Sequence, residues 1–507
     1  MRGDRRRPAR ARLPDAGERG AGGDDGGAVV SGAYDLIVLG AGPAGVGAAV
    51  TARSHGLSVL VVDENETTGG QVYRATPQAF ATRADAPANP DKKEGAGQRQ
   101  SLLASGAAVA FRHSVWQVSP GYRVDAVGQG GPVHWSAPAV IAATGTTERV
   151  VPFPGWTLPG VIGLAAATIL LKSQQMLPGR RPVIAGCGPL LAAVAVAVLD
   201  GGGKPAAVLD LSGPGDWLAA LPALASRPDL ALRGLGWVVR LKAAGVPVHF
   251  RTGIAAVRET ADGLAVTPCR VDADRRPLPD GAGQDIETDC VAVGHGLTPG
   301  TEITRLLRAR HRFDAALGGW VAEHDADFRT SLPGLYVAGD GAGISGAAAA
   351  HLQGQLAGLA VARDLGRLGA DAHETAAAPV RKRLAAAQRF GRAMARLMAL
   401  RPAHAASVAP DTVVCRCEDV TRGEIDEAVA AGARDVNQLK AWTRCGMGPC
   451  QGRMCGETAA SLVAEAVGSR GAAGLWTGRA PLRPVPMDLL TGDFTYADIP
   501  LPKAAPL

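Results

Sequence analysis

Three glycines, Gly40, Gly42 and Gly45, constrain this chain more than any other feature. They follow an apolar run, Asp35 to Leu39, that reads as a buried parallel strand. In G-x-G-x-x-G spacing each has a separate task. Gly40 makes the tight turn, Gly42 lets the backbone approach a pyrophosphate, and Gly45 lets the next helix pack close to the strand. The helix N-terminus offers unpaired N–H groups and partial positive charge to phosphates. A second apolar strand, Ser58 to Val62, ends in Asp63, where a carboxylate can accept ribose hydroxyls. Pro43 and Ala44 in the first helical turn, Glu64 beside Asp63, and Gly70 and Gln71 complete the candidate cofactor-binding set on this half of the chain. Glycines, helix, second strand and terminal acid in this order are far more specific than the glycines alone.

Composition excludes several classes of protein. The chain has 507 residues, enough for several domains, with 47% hydrophobic and 4% aromatic residues. No apolar run approaches the roughly 18 residues of a membrane-spanning helix. The net charge is +6, and the first twelve residues hold six arginines, so the folded part shows no basic bias toward nucleic acid. Residues 1–32 lack the apolar core of a secretory signal and read as a disordered tail. Five of the eight cysteines crowd between Cys415 and Cys455, which suggests a metal centre in a reducing compartment rather than disulfides. The chain reads as cytoplasmic, with peripheral contact at the inner membrane as the other option.

Taken in order, residues 76–98 read as an exposed loop. Short strands are expected at 107–111, 115–118, 133–135 and 139–143, the last running into Ala143-Thr144-Gly145. Val151 to Trp156 reads as a hinge-like connector. A second dinucleotide unit then begins, with strand 183–185, Gly186-Cys187-Gly188-Pro189-Leu190-Leu191, and strand 206–209 ending in Asp210. Leu191 holds the place of the third glycine and is expected to push the helix outward and narrow the space for a pyrophosphate. The chain returns at 289–293, and the strand before Ala338-Gly339-Asp340 leads to a small-residue helix, 347–365.

Residues 34 to 365 resemble the two-domain FAD/NAD(P) fold shared with the pyridine nucleotide–disulfide oxidoreductases. The resemblance rests on the first fingerprint with Asp63, on Ala143-Thr144-Gly145, and on Ala338-Gly339-Asp340. It implies that Thr144, Gly145, Gly339 and Asp340 also border FAD. One departure matters: no C-x-x-C or C-x4-C pair follows the first fingerprint, so the flavin is not expected to reduce disulfides.

The C-terminal cysteines offer another electron outlet. Cys415-Arg416-Cys417 precedes Thr421-x-x-Glu424, a capping box that opens a short helix ended by Gly432. Val436, Leu439 and Trp442 mark a second helix. Arg444-Cys445-Gly446-Met447-Gly448-Pro449-Cys450-Gln451-Gly452-Arg453-Met454-Cys455 follows, then a third helix from 457 to 467. This spacing suits either zinc or an iron–sulfur cluster. Glycines that free N–H groups for sulfur, and a flavin domain in the same chain, favour iron–sulfur. Arg416, Lys440, Arg444 and Arg453 are placed to offset the cluster's charge. Residues 411 to 468 resemble the bacterioferritin-associated-ferredoxin-like [2Fe–2S] module. That resemblance implies Cys415, Cys417, Cys450 and Cys455 as ligands, with Cys445 a bystander.

The expected fold is α/β: two Rossmann-like dinucleotide-binding domains, the FAD domain interrupted by an NAD(P)-type domain, followed by a small all-α [2Fe–2S] domain. The expected boundaries are 33–155 and 288–370 for FAD, 156–287 for the NAD(P)-type domain, 371–410 for a solvated helical linker, 411–468 for the cluster and 469–507 for a Pro-rich tail. This order resembles the α-type subunits of heteromeric amino-acid and opine dehydrogenases. That group holds the flavin subunit of hydrogen cyanide synthase, the first subunits of octopine and nopaline oxidases, and the α subunits of hydroxyproline and proline dehydrogenases. The resemblance implies a β-type flavoprotein partner that holds the amine site, an FMN at the subunit boundary, and a further partner in the form of a small ferredoxin-like subunit. No acid–base catalyst is nominated; His295 and His351 read as structural. Two alternatives stay open: a self-sufficient NAD(P)H-dependent reductase, and a non-catalytic scaffold that binds nucleotide and cluster.

Overall fold

The structure, a computed structural model, describes residues 32–77 and 90–489. Two parallel sheets organise them. The first has strand order Leu335–Val337, Ala139–Ala142, Leu36–Leu39, Val59–Val62, Ala108–Ala110, all parallel. Its central strand, Leu36–Leu39, has every residue buried, as a strand covered on both faces requires. The second has order Val161–Gly163, Val291–Gly294, Val183–Gly186, Ala207–Asp210, Val248–Phe250, also parallel throughout. Each sheet has an antiparallel companion, the strands 114–136 for the first and 252–288 for the second. The mixed α/β architecture with two Rossmann-like units is therefore as the sequence indicates.

Small residues set the spacing of the first unit. The helix Pro43–Ser54 packs against the helix Ala347–Asp364 over their alanines and glycines. A Cβ on Gly354 would lie 1.9 Å from the Ala44 carbonyl oxygen, and one on Gly47 would lie 2.3 Å from that of His351. Burial of each large aliphatic side chain between sheet and helices contributes about 1.5–3 kcal/mol.

Three expectations need correction. The segment 76–98 is not all loop: Pro90–Ala104 is a helix, with Gly95 and Gln98 buried, while the part from 78 to 89 lies outside the described residues. Gly95 is buried because it seats Tyr73, whose Cβ stands 2.9 Å from the place of a Cβ there. The linker is helical but not simply solvated. It is one helix, Ala370–Leu397, whose buried stripe of Ala377, Leu384, Gly391, Met394 and Leu397 packs inward, followed by the short helix Pro402–Ala406. The stripe recurs at helical spacing among arginines, so charge on one face concealed a core face on the other. Val151–Trp156 is no free hinge either, because Val151, Phe153 and Trp156 are each at least nine-tenths buried. The leader 1–31 and the tail beyond 489 lie outside the described residues.

The glycine at 354 gives a direct test of the helix pair. Gly354→Ala raises intrinsic helix propensity by about 1 kcal/mol, yet it places a methyl against backbone. The expected outcome is a net loss of roughly 1–3 kcal/mol or more, read as a lowered thermal midpoint. An unchanged or raised midpoint would contradict the close approach.

Candidate cofactor and cluster sites

The first fingerprint is built as its residue types suggest. Gly40 has φ of +112°, and a Cβ there would stand 2.4 Å from the Ala143 carbonyl oxygen. A Cβ on Gly45 would lie 1.8 Å from the Gly40 carbonyl oxygen. Gly42 caps the helix with no side chain against it, and the nearest atom to its missing Cβ is the Cα of Gly70, 3.7 Å away. Gly42 and Gly70 thus leave a backbone-walled space at the helix N-terminus, the cradle that a pyrophosphate needs. Asp63 closes its edge: Oδ2 accepts the Ala41 N–H at 2.6 Å and Oδ1 accepts the Asn65 N–H at 2.8 Å. Gln71 holds Arg74 at 2.9 Å, and Glu64 pairs with Arg483 from the Pro-rich tail at 3.5 Å.

The other expected residues arrive at the same place. Thr144 Oγ1 donates to the Gly300 carbonyl at 2.6 Å, and Gly145 has φ of +67°. A Cβ on Gly339 would meet the Ala44 methyl at 2.8 Å, which brings Gly339-Asp340 over the same helix N-terminus. Asp340 Oδ1 accepts N–H groups from Ser345 at 2.8 Å and Gly346 at 3.0 Å. Burial pushes its carboxyl pKa up against those two bonds. His295 and His351 behave as structural groups: His295 Nδ1 accepts the Val151 N–H at 3.2 Å, and His351 Nδ1 lies 3.3 Å from the Pro43 carbonyl oxygen.

Sequence reasoning missed Glu148, three residues past Gly145. Its carboxylate caps the helix Leu164–Ile169, accepting the Ala165 N–H at 3.0 Å. Burial pushes its pKa up to about 7, more than the helix N–H groups pull it down. A lone acid between the apolar strand 139–142 and the apolar strap 150–156 was the available signal.

The five clustered cysteines meet in the C-terminal unit, built from helices Arg422–Ala430, Val436–Thr443 and Gly456–Val467 plus a ladder pairing Val413–Cys415 with Val420–Thr421. The capping box is present, with Thr421 N–H donating to Glu424 at 2.7 Å and Glu424 N–H to Thr421 Oγ1 at 3.3 Å. Trp442 marks its helix from an exposed position, 58% accessible. The sulfurs of Cys415, Cys445 and Cys455 lie within 4.8 Å of one another. Cys417 interacts with Cys450, and backbone N–H groups of Gly446 and Glu418 point at Cys415 while that of Cys450 points at Cys417. Thiols crowded together, with backbone N–H donors aimed at two of them, form a donor set suited to a cluster. Cys445, expected as a bystander, stands with Cys415 and Cys455.

The glycines here have a second task. Cβ atoms on Gly446, Gly452 and Gly456 would stand 3.0, 2.6 and 2.7 Å from the Trp476 indole, so the cysteine loop wraps that ring. The expected cationic shell is largely engaged elsewhere. Arg416 lies over the Trp156 ring at 5.5 Å, Arg444 pairs with Glu418 at 2.8 Å, and Arg453 with Glu302 at 2.8 Å.

A backbone cradle for a dinucleotide and a cysteine cage in one chain define an iron–sulfur flavoprotein. Residues 34–354 match the model of the pyridine nucleotide-disulphide oxidoreductase family, and residues 413–465 that of the BFD-like [2Fe-2S] binding domain. The chain is 36% identical over 466 residues to an opine oxidase subunit of Rhizobium meliloti (strain 1021), covering 89% of this chain and 97% of that protein. It is 32% identical over 456 residues to hydrogen cyanide synthase subunit HcnB of Pseudomonas aeruginosa, covering 89% and 97%. The solved L-proline dehydrogenase from P. horikoshii shares the fold, with TM-score 0.64, 19% identity, and coverage of 91% of this chain and 80% of that one. The chain therefore belongs to the pyridine nucleotide–disulphide oxidoreductase family, alongside that opine oxidase subunit, and is an FAD-dependent oxidoreductase with a [2Fe–2S] domain.

Glu148 supplies a pH test. Its folded-state pKa, about 7, lies above the ordinary glutamate value of 4.5, so the folded chain binds the extra proton between them. Stability is then greatest below the lower value and falls as pH rises through the window, by at most about 1.4 kcal/mol per unit. Thermal midpoints measured from pH 4.5 to 7 are expected to decline less in Glu148→Gln than in the parent chain.

Proposed function

We propose that this chain is the electron-relaying subunit of a heteromeric complex whose partner, a β-type flavoprotein subunit, oxidises an amino-acid or opine C–N bond. Oxidation of the amine to an imine releases two electrons and two protons, and this chain takes the electrons toward an acceptor. The reading is supported by the names of its relatives in opine oxidase and hydrogen cyanide synthase, which are those of subunits. FAD, when bound, exchanges electrons in pairs or singly, and a [2Fe–2S] cluster carries them singly.

The observation that carries the proposal is the direct docking of the cluster unit on the flavin fold. Trp156 Nε1 donates to the Val413 carbonyl at 2.6 Å, and Thr458 Oγ1 to that of Val150 at 3.0 Å. The Pro-rich tail completes the seam: Arg453 and Gln451 of the cysteine loop donate to Leu482 and Pro481 carbonyls, and the Leu482 N–H donates to Trp116 of the first unit. Burial pushes Glu302 up, but Arg453 and Arg305 outweigh it and hold its carboxyl below the usual range, so this ion pair stays charged at the seam. The seam fixes the cluster against the flavin unit rather than on a tether. Apart from the five clustered cysteines, the chain has only Cys187, Cys269 and Cys290, all buried, so no redox dithiol competes.

In the proposed site, Gly42, Pro43, Ala44 and Gly70 border the pyrophosphate and Asp63 the ribose. Thr144, Gly145, Gly339 and Asp340 line the remainder. Cys415, Cys417, Cys450 and Cys455 are the proposed cluster ligands. The purified chain is expected to contain flavin and equal iron and sulfide, with an S = 1/2 signal after dithionite. Cys455→Ala should lose the cluster absorbance and Cys445→Ala should keep it; loss in Cys445→Ala would overturn this ligand set. Zinc without sulfide would make the module structural.

The relay itself is tested on the assembled complex. Rapid anaerobic mixing with the amine substrate is expected to produce the cluster signal. Full substrate turnover by the partner alone, with artificial and natural acceptors alike, would instead leave this chain a scaffold. Bleaching of the isolated chain by NADH would favour a self-sufficient reductase.

A further inference from the structure

The second fingerprint keeps its first two glycines, and the structure shows what the second one faces. A Cβ on Gly188, φ +94°, would stand 2.7 Å from Met398 Cγ and 3.0 Å from its sulfur. At the equivalent Gly42 the nearest atom is a glycine Cα at 3.7 Å. The space that a pyrophosphate would take beside Gly188 therefore holds a methionine side chain of the same polypeptide. Met398 also packs with Cys187, Leu211 and Val271, residues at the strand ends of the second unit.

The electrostatics repeat the substitution. Met398 ends the helix Ala370–Leu397, where unpaired carbonyls carry partial negative charge. Two buried arginines receive them. Arg275, 1% exposed, donates to the Leu397 carbonyl at 2.6 Å and to that of Ala399 at 3.1 Å. Arg149, 3% exposed, donates to the Met398 carbonyl at 2.8 Å. Three consecutive carbonyls thus take up the donors of the two buried arginines beside this groove. Arg401 then ties the segment to Asp216 at 2.7 Å. The cavity left beside Gly186, walled by Leu211, Arg275, His295 and His404, has a volume of about 120 Å³. Small-molecule and cofactor pockets run from about 300 Å³ upward.

We infer that Leu397–Arg401 is a built-in occupant of the second dinucleotide groove, and that Met398 with Arg275 and Arg149 determines donor specificity by excluding nicotinamide and adenine nucleotides. The inference is independent of the relay: a relay subunit with an open groove would still bind a nucleotide there. Leu191 contributes little to the exclusion, since it points into the core and is 2% exposed.

The test uses the full chain loaded with flavin and cluster. Equilibrium dialysis against labelled NADH, NADPH and ATP, each up to about 1 mM, the top of the usual substrate range, is expected to show no saturable binding. Near-stoichiometric binding of any of them would overturn the inference. A thermal-unfolding cycle supplies the second measurement. Gly188→Ala is strained by its backbone in any setting, but it should lower the midpoint less in a Met398→Ala background than in the parent. An equal loss in both backgrounds would show that Met398 does not occupy the groove.

Discussion

The structure depends on backbone approaching backbone where no Cβ intervenes. Gly45 lies against the Gly40 carbonyl, and Gly354 against that of Ala44, so one helix is held by a strand on one side and by a second helix on the other. Both contacts position the N-terminus of Pro43–Ser54, and the residues proposed to border the flavin are arranged around it. Gly339 reaches the Ala44 methyl, and the Gly70 turn faces Gly42. A dinucleotide cradle made of main chain is rigid because close packing leaves it no alternative position. It also needs little from side chains, which is why only two of the proposed residues carry carboxylates, the buried Asp63 and the half-buried Asp340.

The second unit shows the same frame put to another use. Strand, turn, helix and terminal acid are all retained, yet the long helix Ala370–Leu397 ends in its groove and presents carbonyls to Arg149 and Arg275. That helix packs into the flavin core through Ala377 and Leu384 and against Ala220 of the second unit through Met394 and Leu397. The segment Val150–Trp156 and the tail at Pro481–Leu482 bind the cluster unit from two directions. In the proposed relay such bracing sets the distance between centres by packing rather than by a flexible linker.

Much of this was legible in the sequence because it is local. Fingerprint glycines, the capping box at Thr421–Glu424 and the cysteine spacing each act within a few residues, and hydrophobic runs marked both parallel sheets. Other features resisted for identifiable reasons. The helix at 90–104 is polar and glycine-containing, with only Gly95, Gln98 and Leu102 buried, so no periodicity announced it. Arginines on the outer face of the long helix concealed its inner stripe. Glu148 went unread because the helix whose N–H groups it accepts, Leu164–Ile169, lies well beyond it in the chain. The glycines around Cys450 were read for their N–H groups, whereas the Trp476 ring they seat comes from beyond the cluster unit's last long helix.

The sequence by itself determined the α/β class, the flavin fingerprint, the frame of the second dinucleotide unit and the presence of a cysteine module, because these follow from spacing along the chain. Tertiary structure alone decided which sulfurs meet, what fills the second groove, and how the cluster unit is seated on the flavin unit. Those depend on contacts between residues far apart in the chain, such as Gly188 with Met398 or Trp116 with Leu482. Local pattern carries no record of such pairs, because the chemistry of each partner is satisfied by many others and only the packed fold selects one.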